Sequence, residues 1–268
     1  MIKVVVCGAL GKMGREVVKA VQQADGLVLA GAVDLNGKGQ DIGECAGLGS
    51  IGITVDRELE TTLKRNAADV VVDFTVPQSV MNNIRTATAH KVYPVVGTTG
   101  LSENDLKEID DLCRAQGIAA LIAPNFAIGA ILLMQLAEQA VRFFPQVEII
   151  ELHHDQKLDA PSGTALHTAE KLAAIRGKLA QGHPDEEEKI SGARGADYEG
   201  IRLHSVRLPG YVAHEEVIFG GLGQTLTIRH DSISRESFMP GVVLACKSIM
   251  QFTGLVHGLD KIMAIRGE

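Results

Sequence analysis

The sequence predicts an α/β protein, with a doubly wound parallel sheet in the first half and a second α+β domain built on a mixed or antiparallel sheet. Three observations carry this prediction. Apolar strand-like runs alternate with helical stretches as far as Phe126. The first run, residues 2–7, opens into a turn with glycines at 8, 11 and 14. Beyond Phe126 the order changes, and three strand-like runs follow one another between 201 and 230 with little helix between them.

The run Ile2-Lys3-Val4-Val5-Val6-Cys7 reads as a buried strand. Gly8, Gly11 and Gly14 then allow a tight turn and close backbone approach at the start of a helix, the arrangement that presents N–H groups to a pyrophosphate. The spacing is G-x-x-G-x-x-G. Met13, Val17, Ala20, Val21 and Ala24 give the helix one apolar face. A second apolar run, 27–33, ends on Asp34, twenty residues past Gly14, where a dinucleotide fold places a carboxylate on the adenosine ribose. A glycine-rich turn without a ligand explains the glycines but gives Asp34 no role. The expected first domain is therefore Rossmann-like.

Residues 36–50 are polar and glycine-rich and read as a mobile loop. A helix is expected over 56–66, a strand over 69–74, a helix over 77–90, and a strand over 92–96 ending in Gly97-Thr98-Thr99-Gly100. Ser102 caps the next helix, to about 116, with Asp105 as its capping-box acid. A strand over 118–122 ends in Ala123-Pro124-Asn125-Phe126. Ligands of such sheets bind beyond the carboxyl ends of the strands, so 8–14, 97–99 and 124–126 are expected to line one crevice.

In the second half a helix is expected over 129–144, a strand over 147–153 and a helix from Ser162. Residues 181–200 read as a surface loop, and 201–208, 211–219 and 224–230 as strands. A helix over 235–252 is expected to pack back on the first domain. The domains are thus 1–126, completed by 236–268, and 127–235.

The chain has 268 residues, 46% of them hydrophobic and 22% charged, an ordinary globular composition. Its net charge of −7 comes without a basic block, which argues against nucleic acid and anionic membranes as partners. No apolar run has the length of a membrane span, and a strand begins at once, so a cytoplasmic protein without a signal peptide is expected. Cys7, Cys45, Cys113 and Cys246 form no C-x-x-C pair and read as reduced structural residues. No histidines stand at i, i+4 with a third ligand nearby, so no metal is expected.

The densest stretch is Glu151-Leu152-His153-His154-Asp155-Gln156-Lys157-Leu158-Asp159-Ala160-Pro161-Ser162-Gly163-Thr164-Ala165. Ser162 is a plausible N-cap for a helix with Leu166, Ala169 and Ala173 on its apolar face. The N–H groups of Gly163 and Thr164 then form a second anion site, to which Lys157 adds a full positive charge. His153 and His154 point to opposite sides if the strand runs through them, and so have different jobs. Taken singly, each also has an ordinary reading: a helix cap, a solvated lysine, surface histidines.

This stretch matches E-x-H-H-x-x-K-x-D-x-P-S-G-T-A, and the chain here resembles the dihydrodipicolinate reductase family. Val6-Cys7-Gly8-Ala9-Leu10-Gly11-Lys12-Met13-Gly14 is similar to that family's V-x-G-A-x-G-R-M-G start. Asp73-Phe74-Thr75, Gly97-Thr98-Thr99-Gly100, Pro124-Asn125-Phe126 and His230-Asp231-Ser232-Ile233-Ser234-Arg235 follow in the family's order, so the resemblance covers nearly the whole chain. It implies reduction of a cyclic dicarboxylate, by NADH or NADPH, on the diaminopimelate route to lysine. It implies cofactor contacts at Gly8, Ala9, Leu10, Gly11, Lys12, Met13, Gly14 and Asp34. At the nicotinamide end it implies Gly97, Thr98, Thr99, Ala123, Pro124, Asn125 and Phe126. His153 is implied as general acid–base, Lys157 as proton donor, and His154, Ser162, Gly163 and Thr164 as substrate-binding residues. The resemblance further implies domain closure over both ligands and a homotetramer joined through the second domain's sheet.

Three residues depart from the pattern. Lys12 replaces an arginine. Leu35 follows Asp34 where many members carry an arginine able to meet a 2′-phosphate, and Val76 replaces a basic residue found in some members. NADH is therefore expected to serve at least as well as NADPH, with Lys38 as a remaining cation for the phosphate. Two other functions are weighed. A semialdehyde dehydrogenase-like reductase needs a cysteine near the domain junction, and none lies between Phe126 and Thr164. A catalytically silent dinucleotide-sensing regulator needs neither His153 nor Lys157.

Overall fold

A computed structural model describes residues 1–264. The last four positions of the expected segment 236–268 lie outside the described residues. The chain divides into two compact units, one formed by Met1–Ile128 with the chain from Phe238 onward, the other by Gly129–Ser237.

In the first unit, β1 (Ile2–Cys7), β2 (Leu27–Val33), β3 (Val55–Asp56), β4 (Val70–Asp73), β5 (Tyr93–Val96), β6 (Ala119–Ile122) and β12 (Gly254–His257) form one parallel sheet, ordered β12-β6-β5-β4-β1-β2-β3. The helices between them are α1 (Lys12–Gln23), α2 (Ile42–Ala46), α3 (Leu59–Arg65), α4 (Pro77–Ala89) and α5 (Glu103–Gln116). The central strands are apolar on both faces because helices cover both. Val5, Cys7 and Val71 pack with Leu59, Leu63 and Ala87, while Val96, Ala120 and Ile122 pack with Ile84, Ile109 and Cys113. Ser102 and Asp105 form the expected capping box on α5.

Two expectations in this unit need correction. Residues 36–50 hold α2, because the Asp41 carboxylate caps Gly43 N and also collects Ser50 Oγ, Ile51 N and Gly52 N. The helix expected over 56–66 starts only at Leu59. Val55 and Asp56 are drawn into the sheet beside Ala32 and Val33, and the Asp56 carboxylate takes up Thr62 and Arg65 of α3.

The second unit has the strand order β11-β10-β7-β9-β8, from β7 (Gln146–His153), β8 (Ala196–Tyr198), β9 (Ile201–Arg207), β10 (Ala213–Gly221) and β11 (Gln224–Ser232). Only β7 and β9 pair in parallel, so the sheet is mixed. One face carries Val147, Ile149, Glu151, Leu203, Glu215, Val217 and Phe219, all buried, and α7 (Gly163–Arg176) packs on it through Ala165, Ala169 and Leu172. The helix expected over 129–144 is α6 (Ile128–Ala140), whose C-terminus tightens into a turn before Pro145. The loop expected over 181–200 contains the edge strand β8.

The single helix expected over 235–252 is broken. A 3-10 turn, Arg235–Phe238, precedes α8 (Met239–Ser248), which holds Pro240 in its first turn, the one part of a helix that suits proline. Gly254, at φ +81°, then turns the chain into β12 beside β6. This seventh strand went unpredicted. After β12 comes α9 (Leu259–Met263).

Candidate active site

In the first unit, the expected cofactor residues lie at the carboxyl edge of the sheet. Gly8 has φ +74°, and a Cβ on Gly14 would collide with the Gly8 carbonyl, so the turn itself demands both glycines. Gly8 N and Ala9 N both donate to Val33 O, Leu10 N to Asp34 Oδ2 (3.0 Å) and Gly11 N to Gly8 O. The donors left facing outward are those of the first turn of α1, Lys12 and Met13. Asn36 N donates to Asp34 Oδ1 at 3.0 Å, so backbone on both sides fixes the carboxylate. Asp34 lies in a cavity of about 290 Å³ whose lining includes Gly8, Gly11, Leu35, Arg57, Phe74 and Thr75.

A second cluster stands where β4 and β5 end. Asp73 is buried, and its Oδ1 accepts from Thr75 N (3.0 Å), Thr75 Oγ1 (2.7 Å) and Thr98 Oγ1 (2.8 Å), while Oδ2 accepts from Asn83 Nδ2 (2.7 Å). This carboxylate ties the ends of both strands to α4. Phe74 and Phe126 pack with ring centroids 5.6 Å apart, which adds the end of β6 to the cluster. Thr98, Ala123 and Phe126 are buried, whereas Thr99 and Pro124 are exposed. Asn125 Oδ1 accepts from Ala127 N and shapes the turn into α6.

In the second unit, β7 ends at His153. Glu151 and His153 lie two apart on the strand and therefore share a face. Glu151 is 1% exposed. Arg207, the last residue of β9, grips its carboxylate with two hydrogen bonds of 2.7 and 2.8 Å. Ser162 N donates to Oε1 at 3.1 Å, and His153 Nδ1 meets Oε2 at 2.5 Å. Burial alone would push this carboxyl up. The hydrogen bonds from His153, Arg207 and Ser205 outweigh burial and hold it down to about 2. An ionised carboxylate only accepts, so His153 Nδ1 carries hydrogen and Nε2 is the free ring nitrogen.

His154 lies past the strand and is exposed, so the opposed-face expectation for the two histidines does not apply. Lys157 N donates to His154 O, and Lys157 Nζ pairs with Asp159 Oδ1 at 2.7 Å. Arg207 also donates to Asp159 O, pinning this loop to the strand that holds Glu151. Ser162 caps α7 by accepting from Ala165 N, leaving the amides of Gly163 and Thr164 as first-turn donors. A Cβ at Gly163 would meet nothing within 4 Å. Arg235 is exposed on its 3-10 turn.

The sequence alone points to no role for Glu151, Arg207, Asp73 or Arg57. Glu151 had a local signal, an acid two residues from a histidine on a strand. Arg207 lies 56 residues further on and had none. Among the described residues no group of histidines, cysteines and acids could hold a metal ion. No helix there is long and apolar enough to cross a membrane.

Comparison with known proteins agrees with this geometry. Residues 2–126 match the family described as dihydrodipicolinate reductase, N-terminus, and residues 129–263 its C-terminus. The chain is 56% identical to 4-hydroxy-tetrahydrodipicolinate reductase of Desulfitobacterium hafniense, over 98% of each chain. It is 52% identical to that of Halalkalibacterium halodurans, over 98% of this chain and 100% of the relative. Its fold matches that of a dipicolinate-bound dihydrodipicolinate reductase from Paenisporosarcina sp. TG-14 with a TM-score of 0.88 at 43% identity, covering 98% and 99% of the two chains.

Proposed function

This chain belongs to the dihydrodipicolinate reductase family, and from that membership we propose how its residues divide the work. It is an NAD(P)H-dependent oxidoreductase that reduces a cyclic dicarboxylate, 4-hydroxy-tetrahydrodipicolinate, to tetrahydrodipicolinate, the hydroxyl leaving overall as water, in lysine and diaminopimelate biosynthesis. The observation that carries the residue-level reading is the double use of Glu151. One carboxylate orients His153 and also holds Ser162 N at the start of α7, so an acid–base group and an anion cradle share one anchor.

The first unit fits a dinucleotide. Lys12 and Met13 offer helix-terminal N–H groups to the pyrophosphate, and a Cβ on Gly11 would press to 3.1 Å on the Gly8 carbonyl, so the turn itself favours glycine there. Asp34, with both oxygens already held by backbone, takes the ribose hydroxyls through its remaining lone pairs. Gly97, Thr98, Thr99 and 123–126 shape the nicotinamide end, the buried Thr98, Ala123 and Phe126 by fixing backbone. When bound, the reduced dinucleotide supplies the hydride.

In the second unit, Gly163 N and Thr164 N bind one substrate carboxylate, and His154 and Lys157 bring charge to the other. Lys157 leaves Asp159 for the substrate at little cost, because an exposed ion pair is worth about 0–1 kcal/mol. Lys157 then donates the proton that the reduced ring requires. His153 exchanges a proton at Nε2, and the ionised Glu151 stabilises the imidazolium.

Asp34 with Leu35 after it favours two ribose hydroxyls over a phosphate, so NADH serves at least as well as NADPH. The assay that tests this reading mixes the enzyme with the cyclic condensation product of pyruvate and aspartate semialdehyde and follows nicotinamide absorbance. We expect both cofactors to be consumed, with kcat/KM for NADH equal to or above that for NADPH. A strong NADPH preference overturns the cofactor reading. Lys157→Ala should cut kcat roughly 10²–10⁴-fold with unchanged circular dichroism. Activity within a fewfold of wild type removes Lys157 as donor.

We also propose a homotetramer joined through the second sheet's other face. There Ile150, Leu152, Val206 and Ile218 remain partly exposed in one chain.

A further inference from the structure

Glu215 on β10 is buried in the second unit, and its Oε1 has no hydrogen-bond partner. The reaction described above does not use it. Strand register places it directly opposite Glu151 on β7 and directly opposite His230 on β11, so the three side chains form a row across one sheet face.

We propose that Glu215 is a positioning residue that works as a neutral carboxylic acid beneath the dicarboxylate cradle, so that its ionisation weakens substrate binding. The inference rests on reading the start of α7 as that cradle. Two links join Glu215 to it. Across the strand pair, Glu151 holds Ser162 N. On α7, Thr168 lies within hydrogen-bonding reach of Glu215, and its hydroxyl bonds Thr164 O at 3.0 Å.

The Thr168 hydroxyl is already used within α7. A threonine hydroxyl has one hydrogen, and that of Thr168 is spent on Thr164 O. Thr168 has no further hydrogen for an ionised Glu215, which it could serve only by giving up that bond. An anionic Glu215 would have to pull the Thr168 hydrogen away from the first turn of α7. It would also stand beside the ionised Glu151 with an unpaired oxygen in an apolar layer. Burial, with the Glu151 charge adding to it, pushes the Glu215 carboxyl up to about 7, the Thr168 contact opposing.

The neighbours supply no charge to neutralise an anion there. On β7, Glu151 is like-charged, and His153 is bonded to it. From β9, Arg207 is committed to the same Glu151 carboxylate and to Asp159 O. His230 on β11 is pushed down by burial and so stays neutral to lower pH than a free imidazole. On α7, Lys171, one turn past Thr168, is taken by Glu138 of α6 at 2.6 Å.

The test uses pyridine-2,6-dicarboxylate, a planar doubly anionic probe, with the full chain saturated in NADH. Its Kd is measured by calorimetry between about pH 6 and about pH 8.5, alongside the pH dependence of kcat and KM. In wild type, Kd should weaken roughly threefold to tenfold over this range, the size of one added like charge at moderate distance. Glu215→Gln keeps the shape but cannot ionise. Its Kd should match wild type at the low end and lack that weakening, with kcat unchanged. A variant that keeps the wild-type pH dependence, or binds as weakly at pH 6 as at pH 8.5, overturns the proposal.

Carbon-13 carboxyl titration of wild type provides a readout that needs no variant. A glutamate still protonated at about pH 6 supports the assignment, and ionisation of every glutamate by about pH 5 overturns it. Wild type that neither binds the probe nor reduces the cyclic substrate at any pH overturns the function reading, while the carboxyl titration still reports on Glu215 itself.

Discussion

Glu151 gathers both guanidinium nitrogens of Arg207, Ser162 N and His153 Nδ1 on one buried carboxylate. Its carboxyl titrates lower in the folded chain, about 2 against 4.5, so the native state holds fewer protons than the unfolded one between these values. The stability it contributes is therefore full above about pH 4.5 and is lost as pH falls towards about 2. Glu151→Gln keeps the shape but leaves the partly buried Arg207 without its counter-charge. We expect a loss of about 3 kcal/mol near neutral pH, the cost of breaking a buried pair, read as a lower Tm. The gap to wild type should narrow as the pH drops below 4.5, since protonation then discharges the wild-type residue too. A gap that stays constant down to the acid transition would contradict this account. Activity should fall further than stability, because His153 loses the acceptor that fixes its tautomer.

The two helix starts assigned to anions use glycine for different reasons. At the start of α1, Gly14 packs on the Gly8 carbonyl, and any side chain there collides with backbone. At the start of α7, Gly163 faces open space, so the fold itself tolerates a side chain. Gly14→Val should thus cost about 3 kcal/mol or more, visible in thermal unfolding, before any effect on cofactor binding is considered. Gly163→Val should leave stability within about 1 kcal/mol of wild type while raising KM for the dicarboxylate at least about tenfold, as the new side chain occupies the ligand's place. A normal KM in Gly163→Val would remove α7 from the site. The late start of the helix expected over 56–66 and the unexpected strand at 254–257 share one reason. Short parallel edge strands carry almost no periodicity: Val55–Asp56 and Gly254–His257 are strands only because β2 and β6 offer them unpaired edges.

For the molecule as a whole, the second sheet sorts its residues by face. The face under α7 is buried, and the other keeps Ile150, Leu152, Val206 and Ile218 partly exposed amid charged pairs such as Glu148–Arg194 and Glu216–Arg229. Sedimentation at micromolar concentration should give four copies, and charge placed at Ile218 (Ile218→Asp) should yield smaller species with the chain still folded. A wild-type monomer would refute the assembly. The alternation of strands and helices, the glycine turn, Asp34 and the stretch 151–165 were legible because each is a local pattern, set by backbone geometry within a few residues. Arg207 under Glu151, the Asp73 anchor and Glu215 beside Glu151 were not. Each depends on strand pairing between distant segments, and pairing register, together with the burial that shifts a carboxyl's proton affinity, exists only after the chain has closed those contacts.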